Sequence, residues 1–262
     1  MDLNKIEKYV DDGYVQKQSH PTLDLTIYTY SRKTQFDYHW DDVTTNTRGV
    51  IFNSKGDLIA RPYPKFFNLS ELKNKNIIPD LPYTIIEKMD GSLGIIFFYN
   101  NEWILATKGS FESEQAIKGN QLLKQKDLSK LNKDYTYLVE IISEESFICV
   151  KYDYEDLVLH GIIETKTGEE YDVLTSDLED VFKYPRFFDY NLPINELFDT
   201  IETNMEGYVI KYQNNFRLKI KSDEYILIHR IKNNITPKRI INAYIEESDF
   251  ESIILDLEEE YY

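Results

Sequence analysis

Apolar runs broken by turn residues dominate the middle of the chain. Thr22 to Ser31 and Gly49 to Arg61 are rich in β-branched and aromatic residues and predict strands, the second with a turn at Asn53 to Asp57. Tyr83 to Lys88 and Leu93 to Tyr99 are two further β-rich runs. They are joined by Met89-Asp90-Gly91-Ser92, in which Asp90-Gly91 is a strong turn signal. Glu102 to Thr107 follows after an Asn100-Asn101 turn, and Tyr135 to Ile142 and Asp156 to Glu164 predict two more strands. Met205 to Gln213 and Phe216 to Lys221 predict a hairpin about Asn214-Asn215. Helical segments are fewer: Asp2 to Val10, Leu69 to Asn74, Leu174 to Phe182, and Ser113 to Gln125 with Ser113 as cap and Glu114 in the first turn. After about residue 223 the character changes. Thr236-Pro237 opens one helix with proline at its first position, and Ser248 caps a second.

Strands and helices do not alternate regularly, so the expected fold class is α+β, with a largely antiparallel sheet and peripheral helices. The expected division is a main domain over residues 1–225 and a short helical C-terminal extension over 226–262. With 262 residues the chain can bury a core of ordinary size, and its 21 Tyr and 14 Phe favour strands.

Charge changes the picture. Acidic residues outnumber basic ones 46 to 30, a net charge of −16, which argues against a nucleic-acid coat protein. It leaves room for an enzyme with a locally basic cleft, because the field depends on distribution as well as on sum. One cysteine, Cys149, excludes an intrachain disulfide and points to a reducing cytoplasm. The N-terminus lacks a signal-peptide stretch, and the longest apolar run, Leu93 to Tyr99, is too short to span a bilayer, so no membrane partner is expected. Cys149 has no evident histidine partner, and the four histidines show no metal-ligand spacing. Ser143-Glu144-Glu145 reads as a solvated loop, and the acidic stretch Leu255 to Tyr262 as a helix face or frayed end.

The central chemical feature is Glu87-Lys88-Met89-Asp90-Gly91-Ser92-Leu93, a lysine at a strand end beside a glycine turn. A lysine nucleophile must be neutral to attack, and neighbouring cations or desolvation lower its pKa. Glycine lets backbone approach a ligand closely. Taken alone, this pattern is better read as a surface hairpin. Four later segments change that balance: Leu138-Val139-Glu140-Ile141-Ile142, Leu157 to Ile163, Glu206-Gly207-Tyr208-Val209 and Leu218-Lys219-Ile220-Lys221. Lys219 and Lys221 alternate on a strand and so share a face. Alternation in Leu157 to Ile163 likewise puts His160 on one face with Val158 and Ile162.

These five ordered elements resemble the signature of the covalent lysyl-nucleotidyltransferases, which include DNA ligases, RNA ligases and capping enzymes. Thr47-Arg48-Gly49-Val50-Ile51-Phe52, Pro64-Lys65-Phe66-Phe67-Asn68, Thr107-Lys108-Gly109-Ser110 and the run Lys219 to Tyr225, on to His229-Arg230, further resemble the T-even phage-type RNA ligases of tRNA repair. The resemblance covers residues 40 to 240 and implies a ligase-type nucleotidyltransferase fold, unlike the ATP-grasp fold. It implies an ATP-dependent RNA ligase that uses Mg²⁺ or Mn²⁺ to join 5′-phosphate and 3′-hydroxyl RNA ends through lysyl-AMP and RNA-adenylate.

On that resemblance Lys88 is the nucleophile, and Lys219 and Lys221 hold the α-phosphate and lower the pKa of Lys88 by like-charge repulsion. Glu206 binds the metal, and Glu140 serves the metal, its waters or the ribose. Arg48, Lys65 and Lys108 meet phosphates, Arg48 by its bidentate fork. Glu87, Asp90 and Gly91 help form the nucleotide site, Phe67 helps form it or is a core residue, and His160 stacks on adenine or is a buried histidine with a backbone partner. Two other readings stay open: a nucleotide- or RNA-binding module of the same fold without sealing activity, and a DNA ligase or capping-type enzyme. The latter usually carry an OB-type domain after the last motif, and about 40 residues follow Lys221 here.

Overall fold

The computed structural model describes residues 1–72, 77–144, 149–190 and 192–234. Its strands, in chain order, are β1 (Val15–Ser19), β2 (Leu25–Tyr30), β3 (Arg48–Asn53), β4 (Leu58–Ala60), β5 (Phe67–Asn68), β6 (Tyr83–Lys88) and β7 (Ser92–Tyr99). They continue as β8 (Glu102–Thr107), β9 (Tyr135–Ile142), β10 (Asp156–Glu164), β11 (Glu170–Tyr171), β12 (Phe187–Phe188), β13 (Gly207–Tyr212) and β14 (Arg217–Lys221). The helices are α1 (Leu3–Asp11), α2 (Arg32–Phe36), α3 (Asp42–Asn46), α4 (Leu69–Leu72), α5 (Glu114–Leu123) and α6 (Asp223–Asn234).

Three sheets form, ordered β1-β2-β3-β4, β11-β10-β9-β7-β8 and β12-β6-β13-β14-β5. Every ladder is antiparallel except the short β14–β5 pair, so the expected α+β class with peripheral helices is what the chain adopts.

The middle sheet is buried on both faces, because its strands carry apolar residues at successive positions. Ile95, Phe97, Ala106, Leu138 and Ile163 pack against Leu25, Ile27, Ile51 and Ala60 of the first sheet. From the other face Ile96, Leu105, Val139, Ile141, Leu157 and Leu159 pack on α5 and on Val173, Leu178, Val181 and Phe182. Full burial of each such aliphatic or aromatic side chain contributes about 1.5–3 kcal/mol. The third sheet has its own core, in which Ile85, Tyr208, Ile210 and Leu218 meet Leu69, Leu72 and Leu197. Two separately cored sheets side by side leave a cleft between them.

The expected strands from Tyr83 to Glu164 and the Asn214-Asn215 hairpin are present within a residue or two. The helix expected over Leu174 to Phe182 is replaced by a short 3-10 turn at Val173–Thr175. Asp177 stands at φ 55°, which a helix interior excludes, and the Leu178 N–H is taken by the Tyr184 hydroxyl at 3.1 Å. Helix α6 runs across residue 225, where the main domain was expected to end. The helices expected from Thr236 and Ser248 and the Leu255 to Tyr262 stretch lie outside the described residues, as do Asn74 and Glu145.

Candidate active site

Strand register builds the center of the cleft. Lys88 on β6 pairs with Gly207 on β13, which pairs on its other side with Lys221 on β14. One row across three strands therefore places two lysines on either side of the residue that follows Glu206. The Glu206 carboxylate fills the gap between them, with Oε2 2.7 Å from the Lys88 ammonium and Oε1 2.9 Å from that of Lys221. Gly207 makes the row possible. It adopts φ 145°, and a Cβ there would lie 1.9 Å from the Ile220 carbonyl oxygen. Two rows further along, Lys219 pairs with Val209 and lies beside Asn68 of β5.

Lys88, Lys219 and Lys221 line a cavity of about 650 Å³ together with Arg48, Lys65, Lys108, Arg217, Glu140, Gly91, Glu87 and His160, while Glu206 reaches it only through the two lysines it bridges and is outside the lining. Glu140 enters from β9, opposite Leu93 and Val158. Gly91 packs so close to β9 that a Cβ would lie 2.5 Å from the Ile141 carbonyl oxygen. Lys65 stands 4.1 Å above the Phe67 ring, Lys108 4.7 Å above Tyr30, and Arg48 5.7 Å from Phe66.

The cavity holds more cation than its own acids balance. Burial, reinforced by Arg48, Lys108 and Lys221, lowers Lys65 to about 8, although Glu71 acts the other way. Burial and the neighbouring Lys65, Lys88, Lys221 and Arg48 push Lys219 well below the ordinary lysine value. Such a site gains by taking in an anion. Glu140 is the counterpart among the acids. Burial, with Glu206 and Asp90 nearby, raises it to about 7 against the pull of Lys88 and Arg48. Burial alone would also raise Glu206, but Lys88 and Lys221 outweigh it and hold its carboxyl below the ordinary range.

Several expectations are corrected. Burial acts to lower the Lys88 pKa, but Glu206, Glu140 and Asp90 outweigh it, so Lys88 is raised rather than lowered. The lysines depressed by burial and like charges are Lys219 and Lys65. Asp90 lies outside the cavity lining. Its buried carboxylate accepts the backbone N–H groups of Cys149 and Val150, both at 2.6 Å, and the Tyr225 hydroxyl at 2.8 Å. It pins the turn behind Lys88 to α6. Of the two roles expected of Phe67, the core one is what the fold gives: it packs on the third-sheet core beneath Lys65, and Phe66 lines the cavity instead. The Glu87 carboxylate lines the cavity but is engaged by the Arg186 guanidinium at 2.9 Å.

His160 does face the cavity, but not by simple alternation. A bulge between Leu159 and Gly161 shifts the register against β9. Val158 packs with Met89 and Ile142, whereas Ile162 joins Leu157 and Leu159 in the α5-side core. His160 thus shares a face with Val158 and not with Ile162. Burial and the charges of Arg48, Arg217 and Lys88 lower His160 to about 3, and a backbone bond at Val139 opposes them. Both partners expected of it, a cavity and a backbone group, are present.

The sequence reading missed the support behind that bulge. The Tyr63 hydroxyl donates to the His160 carbonyl at 2.9 Å. The Arg217 guanidinium lies 3.8 Å from the Tyr63 ring center and makes a bidentate pair with Glu170, which also meets Lys211 at 3.3 Å. A Cβ on residue 161 would strike the Tyr63 hydroxyl at 2.2 Å, so only glycine fits there.

Among the described residues no group of three or more His, Cys, Asp or Glu side chains could hold a metal by itself. The donor set fits an ion that takes one or two carboxylates, here Glu206 and Glu140, and completes its shell with water and phosphate oxygens. No helix among the described residues is long and apolar enough to cross a membrane.

The chain is similar to known proteins in sequence and in fold. The chain is 22% identical over 303 residues to the RNA ligase of Rhodothermus phage RM378, covering 85% of this chain and 68% of that one. It is 29% identical over 220 residues to a Thermovibrio ammonificans protein provisionally named as an RNA ligase, covering 76% of this chain and 57% of the relative. Over the first relatives it spans only about 40–57% of their length. In fold it is similar to a provisionally named ATP-dependent DNA ligase from Aquifex aeolicus, with TM-score 0.64, 17% identity, and 99% of this chain and 77% of that one covered. It is similar also to an archaeal ATP-dependent RNA ligase, with TM-score 0.61, 16% identity, and 98% and 74% covered. The family model for RNA ligase matches residues 46–225, more than half of the chain and every cationic residue of the cavity named above, and the chain therefore belongs to the RNA ligase family.

Proposed function

We propose that residues 1–225, closed by the first turn of α6, form the adenylyltransferase domain of an ATP-dependent RNA ligase that acts on 5′-phosphate and 3′-hydroxyl RNA ends. The observation that carries this reading is the cavity in which Lys88 and Lys221 share Glu206 while Lys65 and Lys219 lack enough negative charge. A nucleoside triphosphate supplies that charge. Lys88 Nζ, once deprotonated, attacks the α-phosphorus of ATP; the bond to pyrophosphate breaks, and a phosphoramidate to AMP forms. AMP then passes to the 5′-phosphate of an RNA strand, which frees Lys88. A 3′-hydroxyl attacks the activated phosphate, the phosphodiester forms, and AMP leaves.

Each step is phosphoryl transfer, so the protein acts by positioning and charge neutralisation. Lys219, Lys221, Lys65, Arg48 and Lys108 hold phosphate oxygens. Glu206 keeps Lys88 aimed and charged until ligand arrives. A divalent cation, magnesium or manganese, held by Glu206 and Glu140, would supply further charge neutralisation on the phosphate. His160, with Ile86 and Met89, offers the wall on which adenine packs.

The test uses ATP labelled on the α-phosphate with a divalent metal, followed by addition of a 5′-phosphorylated RNA or, separately, DNA. Label and one AMP of mass should appear on Lys88, vanish in Lys88→Ala, and pass to RNA in preference to DNA. An adduct that survives Lys88→Ala would move the nucleophile elsewhere. Equal sealing of all-DNA ends would replace the RNA reading with a DNA-ligase one.

A further inference from the structure

Next to Gln35, which lines the cavity, Phe36 and Tyr38 present rings that the core does not use. Helix α2 is held from below by Thr34, which is fully buried, donates its hydroxyl to the Tyr14 carbonyl and takes the Ser31 cap. That anchor turns the following residues outward. Gln35 lines the cavity. Phe36 is 69% exposed and Tyr38 is 56% exposed, the most exposed aromatic rings among the described residues. Tyr38 stands at φ 50°, a left-handed conformation that disfavours a bulky side chain. The chain thus holds a tyrosine in an unfavourable backbone state with its ring in water. Trp40, two residues on, lies edge-on to Tyr30 at 5.0 Å and 5.3 Å below the Lys65 ammonium, inside the cavity wall.

Among the described residues no burial accounts for these rings, which leaves their faces open to a contact from outside. Charge selects among occupants. The segment over residues 30–40 opens onto Arg48, Lys65 and Lys108, and it carries exposed Arg32 against one exposed acid, Asp37. An occupant here brings flat apolar faces and negative charge together. We propose that Phe36 and Tyr38 form a stacking platform for the unpaired bases of the RNA strand next to its reacting end, with the cavity cations taking the adjoining phosphates. Single-stranded nucleic acid is commonly held by aromatic stacking beside a cationic path. The proposal rests on the ligase reading above and adds where the strand lies and that it is unpaired there.

The test separates the two. The full chain is first charged with AMP from ATP and metal, then given a single-stranded 5′-phosphorylated RNA carrying 5-bromouridine near the phosphate. Irradiation should crosslink the RNA within residues 35–38, mapped by mass spectrometry. Phe36→Ala/Tyr38→Ala should leave the rate of Lys88 adenylylation unchanged and raise the RNA concentration needed for AMP transfer by about fivefold to a hundredfold per ring lost. Phe36→Trp/Tyr38→Trp should keep the wild-type requirement. A wild-type protein that charges and seals, with the alanine variant indistinguishable in RNA requirement, overturns the platform and leaves the ligase reading standing. A wild-type protein that never passes AMP to RNA overturns the ligase reading and the platform with it. If sedimentation shows the alanine variant losing a dimer while its RNA requirement is unchanged, the rings bind a second copy and the proposal fails.

Discussion

Replacing Arg217 with alanine removes both a cation of the cavity lining and the brace behind the His160 bulge. Arg217 and Glu170 are both buried, with side-chain exposures of 5% and 8%. Truncation leaves the Glu170 carboxylate in the interior with only Lys211, at 3.3 Å, to balance it. It also removes the cation from the Tyr63 ring face. Breaking a buried pair from one side costs about 3–5 kcal/mol, because an uncompensated charge stays behind. For a chain of this size each kcal/mol moves the midpoint by about 2–4 °C, so Arg217→Ala should melt about 6–20 °C lower. Urea titration, followed by tryptophan fluorescence without ligand, measures the free energy directly. Arg217→Met/Glu170→Leu should recover most of the loss, since apolar replacement of both partners is often neutral. A single variant within about 1 kcal/mol of wild type, or a double variant no better than the single, would refute the account. Because Tyr63 holds the His160 carbonyl, Arg217→Met/Glu170→Leu should also need more ATP for adenylylation than wild type while keeping most of its maximal rate.

Glu206→Gln should lower adenylylation at least about a hundredfold with the fold intact, because a neutral amide neither aims Lys88 nor holds a cation; Glu206→Ala should in addition melt lower, since two buried ammonium groups lose their counter-charge, and a normal adduct rate in the glutamine variant would make Glu206 a purely structural carboxylate. Gly207→Ala should destabilise by at least about 2 kcal/mol in urea titration, because its φ is positive and its Cβ meets the Ile220 carbonyl; a smaller loss would mean the β13–β14 register adapts. His20 accepts the Thr22 and Leu23 N–H groups on Nδ1 at 3.2 and 3.1 Å, and burial lowers its pKa. Its folded value lies below the ordinary 6.5, so its contribution is present above that pH and lost as pH falls through it. His20→Gln should flatten that acid-side loss, and an unchanged slope of urea midpoint against pH would refute it.

The strands that build the cleft were legible because each is an apolar run closed by Asn, Asp or Gly, and the lysines because a strand spaces alternate residues onto one face. What escaped the sequence depends on partners far along the chain. Asp90 reads as a turn residue, yet its ligands are residues 149, 150 and 225. Arg217 draws no reading from the sequence, because Tyr63 and Glu170, which enclose it, lie far from it along the chain. The segment Val173 to Phe182 buries residues 173, 178, 181 and 182, a spacing close to a helix, while Asp177 breaks the backbone that would make one. β1 buries only Val15, so no alternation announced it. The expected sign of the Lys88 shift failed because the sequence placed cations near it and did not show that three carboxylates stand closer in effect.

The contrast between an acidic exterior and a cationic cavity also governs how a polyanion arrives. From bulk solvent it meets a body of net charge −16, whereas the cavity lining is rich in cations. A rigid duplex that cannot bring its phosphates inside meets mostly repulsion, whereas a flexible end can thread past it. Dissolved ions screen over about 8 Å at physiological strength, which weakens the outer repulsion and reaches the buried cations much less. The two effects oppose, so capture of an RNA end should depend on ionic strength less steeply than it does for a uniformly basic protein, whose affinity falls with every counterion released. The acidic surface acts as a filter on shape, and the cavity need only be strong at short range.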